Sequence, residues 1–134
     1  MKVDQWASEI QEWCSESQVA LSAQVGAKAR AVYKRIIDYS PSPDNPIARF
    51  SVGHFIHNWR LGNSAQAGEI GGTETSDVAK ARIDAFIDDE YFLVNEKVTM
   101  TNSTEYVDAI EYLGWPSGKV PYAPVARAIA DNLE

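Results

Sequence analysis

The chain has 134 residues, 45% of them hydrophobic, and a formal net charge of −7. That is long enough to bury a core as one domain spanning residues 1–134, too polar for a membrane protein, and too acidic for nonspecific nucleic-acid binding. One cysteine, Cys14, excludes an internal disulfide framework and any zinc site built from several thiolates.

The first residues, MKVDQWASEIQEW, are polar and acidic with no apolar h-region, so no signal peptide is expected. Residues 4–38 read as helix. Trp6, Ile10 and Trp13 recur at i, i+4, i+7, and Leu21, Val25, Ala29, Val32 and Ile36 continue a stripe of threes and fours. Cys14 falls inside this pattern as a structural residue. Ser15 and Ser17 suggest a break between a short and a long helix, and Gly26 a bend. The run YSPSPDNP stops the helix, because each proline forces its predecessor away from helical geometry.

From Phe50 the spacing predicts a strand. Val52, His54, Ile56, Asn58 and Arg60 share one face, and Phe55, His57, Trp59 and Leu61 the other. The glycine-rich run GNSAQAGEIGGTETS reads as a long loop with almost no apolar side chains to hold it, hence functional or mobile. Thr75 or Ser76 caps the next helix, with Val78, Ala81, Ile83, Ala85, Phe86 and Ile87 as its apolar side. Residues 92–101 alternate as a second strand. Tyr106–Leu113 suits a short helix ended by Gly114, WPSGKVPYAP a turn-rich loop, and Val125–Leu133 a closing helix. The expected fold is α+β: a long N-terminal helix packed with a small, mainly antiparallel sheet and additional short helices.

Catalytic patterns are weak. In a strand, His54 and His57 point to opposite faces and cannot share a metal. Asp84, Asp88, Asp89 and Glu90 crowd one helix end without a second carboxylate pair to act as acid and base. There is no G-x-S-x-G elbow, and GEIGG lacks the lysine and Ser/Thr of a phosphate loop. A non-enzyme with no catalytic residue, cofactor or metal is expected.

Charge is uneven. Residues 1–60 carry seven basic and six acidic side chains, and residues 61–134 five and thirteen. The basic cluster Lys28, Arg30, Lys34 and Arg35 and the acidic cluster Asp84, Asp88, Asp89 and Glu90 lie on separate helices. They are candidates to meet between neighbouring subunits or to face different partners. Trp115, in a loop, is a candidate interface anchor.

Three stretches resemble, in order, the small neck and tail-completion proteins of long-tailed bacteriophages: YSP at 39–41 leading to GHFIHNW at 53–59, YVDAIEYLGW at 106–115, and APVARAIA at 123–130. The likeness covers roughly residues 30–130 and rests on Pro41, Gly53, Asn58, Trp59, Tyr106, Glu111, Tyr112 and Gly114. Two departures stand out. NPIARFSV separates Asp44 from Gly53, and Leu113 is inserted before Gly114. The resemblance implies a structural virion protein, assembled in the bacterial cytoplasm, that forms a homo-oligomeric ring at the head–tail junction. It implies neck, portal-adaptor and tail proteins as partners, no membrane, and DNA passing through the channel without specific binding. It casts Asn58 and Trp59 as framework residues, Trp59 anchored in the core and Asn58 bonding a neighbouring loop. The other reading is a soluble, non-enzymatic protein-binding adaptor.

Overall fold

The computed structural model describes residues 3–41, 53–105, 107–113 and 123–132. The order is α1 (Val3–Tyr39), α2 (His54–His57), β1 (Trp59–Gly62), α3 (Ser76–Phe86), α4 (Tyr91–Val94), β2 (Thr99–Asn102), a π-helical turn at Ala109–Leu113, and α5 (Pro124–Asp131). This is an α+β fold. β1 and β2 form a two-stranded antiparallel sheet in which Trp59 faces Asn102 and Leu61 faces Met100. The second half of α1 packs against α3, α4 and α5. The core gathers Ile36 and Ile37 of α1, Phe55 and Ile56 of α2, Trp59 of β1, Ala79 and Ile83 of α3, Ile87, Tyr91, Ile110 and Ala128.

Helix α1 is unbroken for 37 residues, or about 55 Å at 1.5 Å per residue. The serines at 15 and 17 do not divide it. Gly26 marks a close approach instead of a bend: a Cβ there would lie 3.1 Å from the Asp88 carbonyl oxygen. Ser22, Gly26 and Arg30, each four apart, form the contact row. The Ser22 hydroxyl donates to the Asp89 carbonyl at 2.8 Å, and Arg30 donates to the Ile87 carbonyl at 2.7 Å.

Two expected strands begin as helical turns. Gly53 adopts φ 93°, and its carbonyl accepts from His57 N–H at 3.0 Å and Glu74 N–H at 3.2 Å, which closes α2 and ties it to the entry of α3. Phe55, Ile56 and Trp59 are all buried. Their spacing of i, i+1, i+4 is helical, and alternation misread it because both faces of the stretch carry apolar residues. Only Trp59–Gly62 is extended. Likewise Tyr91–Val94 is a helical turn, and Asn95 closes it by donating from Nδ2 to the Tyr91 carbonyl at 2.9 Å. β2 is limited to the four residues that have a partner on β1.

Thr75 is the N-cap of α3, its hydroxyl accepting from Val78 N–H. The extra Leu113 lies in the π-helical turn, the geometry that accommodates one additional residue in a helix. Tyr106, Gly114, Trp115 and the loop that follows, with the proline run after Pro41 and the proposed strand start at Phe50 and Val52, lie outside the described residues.

Candidate interaction surface

The charged clusters meet inside the chain. Arg30 pairs with Asp89 at 3.0 Å and Lys34 with Asp84 at 3.0 Å, joining α1 to α3 and the turn after it. Arg35 lies 3.5 Å from Asp38 and 3.3 Å from Asp131 of α5. Asp88 stays exposed, its carboxylate accepting from Glu90 N–H at 3.0 Å. α1 and α3 are packed neighbours, so opposite charges on their facing edges pair locally. Lys28 alone of the basic set stands exposed with no ion pair among the described residues. Reversing Lys34 to glutamate should therefore weaken the fold itself. A loss of roughly 0.5–1 kcal/mol is expected for such a half-exposed pair, largely recovered by Lys34→Glu with Asp84→Lys. Thermal melts of the single and double variants check it.

Around Trp59 the framework is polar as well as apolar. Trp59 is 5% exposed. Its indole Nε1–H donates to the Ser40 hydroxyl at 2.9 Å, which in turn donates to the Ile36 carbonyl at 2.6 Å. Phe55 meets the indole edge-on at 5.7 Å between centroids. Asn58 is fully buried. Its Nδ2 donates to the carbonyls of His54 and Ile70 at 2.9 and 3.0 Å, and its Oδ1 accepts from Ile70 N–H at 2.8 Å. One side chain thus pairs both backbone groups of Ile70, as a neighbouring strand would.

The glycine-rich loop is held by polar groups, not by apolar packing. Besides Asn58, Arg60 donates to the carbonyls of Ala67 and Gly68. Gln66 bonds Thr101 and Ser103 of the β2 edge. His54 lies 3.0 Å from the Gly72 carbonyl and 3.2 Å from Glu69. At the loop's end the buried Glu74 carboxylate receives two guanidinium nitrogens of Arg82, whose third nitrogen donates to the Trp59 carbonyl at 3.1 Å. His54 and His57 share one helical turn, so strand geometry is not what separates them. They are engaged by the loop on different partners, and no group of three or more metal-ligating side chains gathers among the described residues.

Glu111 caps α5. Its carboxylate oxygens accept from Val125 N–H at 3.1 Å and Ala126 N–H at 3.0 Å, filling two of the orphan donors of that helix start. Tyr112 is 70% exposed. At the far end of α1, Tyr39 donates to Asp131, while Arg127 stacks on its ring at 3.9 Å.

Sequence reasoning missed Asn102, Tyr33 and Tyr91. Asn102 donates to the Phe55 carbonyl at 2.9 Å and accepts from Thr104. The Tyr91 hydroxyl lies 2.8 Å from the Lys97 carbonyl oxygen and 2.7 Å from the Asn63 side-chain amide, and Tyr33 donates to the Val98 carbonyl at 3.1 Å. All three bridge segments far apart in the chain, and only Tyr91, opening an apolar run, carried a local sign of burial. The pKa of Tyr33 is raised by burial and then by Tyr91; that of Tyr91 is raised by burial; that of Tyr39 is raised first by its hydrogen bond to Asp131. The fold therefore favours the neutral phenols. As pH rises past the ordinary tyrosine value of 10.0, the unfolded chain loses those protons first and stability falls. Melting temperature should be flat in this respect below pH 10 and drop above it. A tyrosine absorbance titration whose native midpoints match those of the unfolded chain would contradict that.

The first half of α1 carries an exposed apolar stripe. Every described side chain from 4 to 21 is exposed. Trp6 is 56%, Ile10 41%, Trp13 66% and Leu21 60% exposed. Cys14 lies on this exposed stretch and not within a core. The stretch extends about 27 Å as helix. At its foot, Leu21 and Val25 with Phe92, Leu93 and Val94 line a groove of about 660 Å³. The stripe of Trp6, Ile10 and Trp13 does not continue the core stripe as expected. At about 100° per residue it lies roughly half a turn around the helix from the contact row of Ser22, Gly26 and Arg30. Among the described residues, no helix is long and apolar enough to cross a membrane. No family model, curated protein or solved structure matches the chain.

Proposed function

We propose that the chain is a structural virion protein of the phage neck, a ring-forming head–tail connector that joins the tail to the DNA-filled capsid. The observation that carries an assembly role is the bare first half of α1. Two tryptophans and an isoleucine on one stripe of a projecting helix are an unusual apolar exposure for a finished monomer. They are the residue types that anchor protein interfaces. The neck-protein motifs supply the particular assembly: Asn58, Trp59 and Glu111 all sit in framework roles, bonding a loop, filling the core and capping the last helix. A net charge of −7 suits a channel wall along which DNA slides, because phosphates find few cations to bind.

The test is a Trp6→Ala/Trp13→Ala variant supplied during particle assembly. The expected result is a folded protein with an unchanged melting temperature, absent from the head–tail junction, and heads and tails that fail to join. Normal particle yield with the variant would overturn the docking role of α1. Absence of the unaltered protein from purified virions would overturn the neck assignment and leave the adaptor reading.

A further inference from the structure

We infer that the first half of α1 docks against a basic amphipathic helix of a different protein, in a coiled-coil-like contact with lysines or arginines at its flanks. The inference rests on reading that half-helix as a docking element, but not on the assembly being a phage neck.

The argument starts from heptad positions. With Ile10 at a, Trp6 and Trp13 fall at d, Ser17 at the next a and Ala20 at the next d. This seam is exposed along its length. The flanking g positions are Glu9, Glu16 and Ala23, and the flanking e positions are Ala7, Cys14 and Leu21. The flanks decide partner choice in such contacts, because e and g side chains of the two helices face each other.

A second copy fits poorly. In an antiparallel pair, g faces g, so Glu9 and Glu16 would oppose the same glutamates. In a parallel pair, g faces e, and Ala7, Cys14 and Leu21 offer no cation. Residues 3–27 contain Asp4, Glu9, Glu12 and Glu16 and no lysine or arginine at all. Of the cations that follow this stretch, Arg30, Lys34 and Arg35 are already engaged with Asp89, Asp84, Asp38 and Asp131, and Lys28, at the next e position, would face Ala23 and not a glutamate of a parallel partner. A membrane surface fits no better, since interfacial helices carry basic polar faces and anionic lipid repels this one. An apolar seam flanked by glutamates is complemented by an apolar seam flanked by cations. The groove lined by Leu21 and Val25 with Phe92, Leu93 and Val94 lies about two turns further along α1, past Ser17 and Ala20 of the seam.

The test uses the full chain and two synthetic helical peptides with leucine at every a and d position, one with lysine and the other with glutamate at e and g. Binding is read by anisotropy of the labelled peptides. The lysine peptide should bind at least about tenfold more tightly at low salt, and the gap should close as salt screens the charges. Trp6→Ala/Trp13→Ala should abolish binding of the lysine peptide while the melting temperature stays unchanged, which separates docking from general attraction to an acidic protein. Glu9→Lys/Glu16→Lys should invert the order of the two peptides. Equal binding of both peptides, binding of neither, or an order that survives Glu9→Lys/Glu16→Lys would overturn the inference. So would self-association in sedimentation, or binding to phosphatidylserine vesicles, if either were lost in Trp6→Ala/Trp13→Ala. If that variant fails to assemble particles yet the unaltered chain shows no preference between the peptides, the docking element stands and the basic partner falls.

Discussion

Trp59→Ala should cost roughly 3–5 kcal/mol, the range for truncating a large aromatic in a core. The indole is 5% exposed, leans on Phe55, and holds the Ser40 hydroxyl that fixes the last turn of α1 through the Ile36 carbonyl. Removing it opens a cavity where α1, α2 and the sheet converge, and breaks the bond from the indole to the Ser40 hydroxyl. With total stability for such a domain near 5–15 kcal/mol, the variant should be largely unfolded or melt far lower. Trp59→Phe separates the two contributions. It keeps much of the apolar fill and loses the hydrogen bond, so it should cost clearly less than alanine. A Trp59→Ala protein that melts with the unaltered one would remove Trp59 from the core.

Asn58→Ala should be the second large effect, roughly 1–3 kcal/mol, because the half-buried N–H and carbonyl of Ile70 both lose their partner and water restores only part of those bonds. Asn58→Asp is the sharper probe. It preserves the oxygen that accepts from Ile70 N–H but points a second carboxylate oxygen at the carbonyls of Ile70 and His54. It should be no better tolerated than alanine. Denaturant midpoints measure the loss, and limited proteolysis locates it: cleavage within residues 63–75 should accelerate in both variants before the rest of the chain opens. Unchanged protection of that loop would mean Arg60, Gln66, His54 and Glu74 hold it without Asn58.

The charge seam and the loop show where local reading stops. Lys34 and Asp84 are fifty residues apart, and so each reads as a solvated face or an outward patch until α1 and α3 are seen side by side. The run from 62 to 75 has few apolar side chains, which predicts mobility if apolar packing is the only glue. Its backbone is held by the side chains of Asn58, Arg60, Thr101 and Ser103, which substitute for a neighbouring strand. None of those pairings leaves a periodic trace in the sequence.

Residues on their own determined the elements whose signal is local and long. The threes and fours of α1 hold for its full length because they need no distant partner, and Thr75 marks a helix start by backbone chemistry alone. The α+β class followed from the same patterns. Tertiary structure decided the short elements and the faces. Phe55, Ile56 and Trp59 alternate as well as they wind, and burial on both sides of the stretch chose a helical turn before the strand. Gly26 reads as a weak helix residue until the Asp88 carbonyl fills the space where its Cβ would be. Which apolar stripe of α1 lies inside and which outside was also invisible in the periodicity. Trp6, Ile10 and Trp13 are as regular as Val32 and Ile36, but only the second half of the helix has a body to pack against. Among the described residues, the first half is left with its apolar seam exposed.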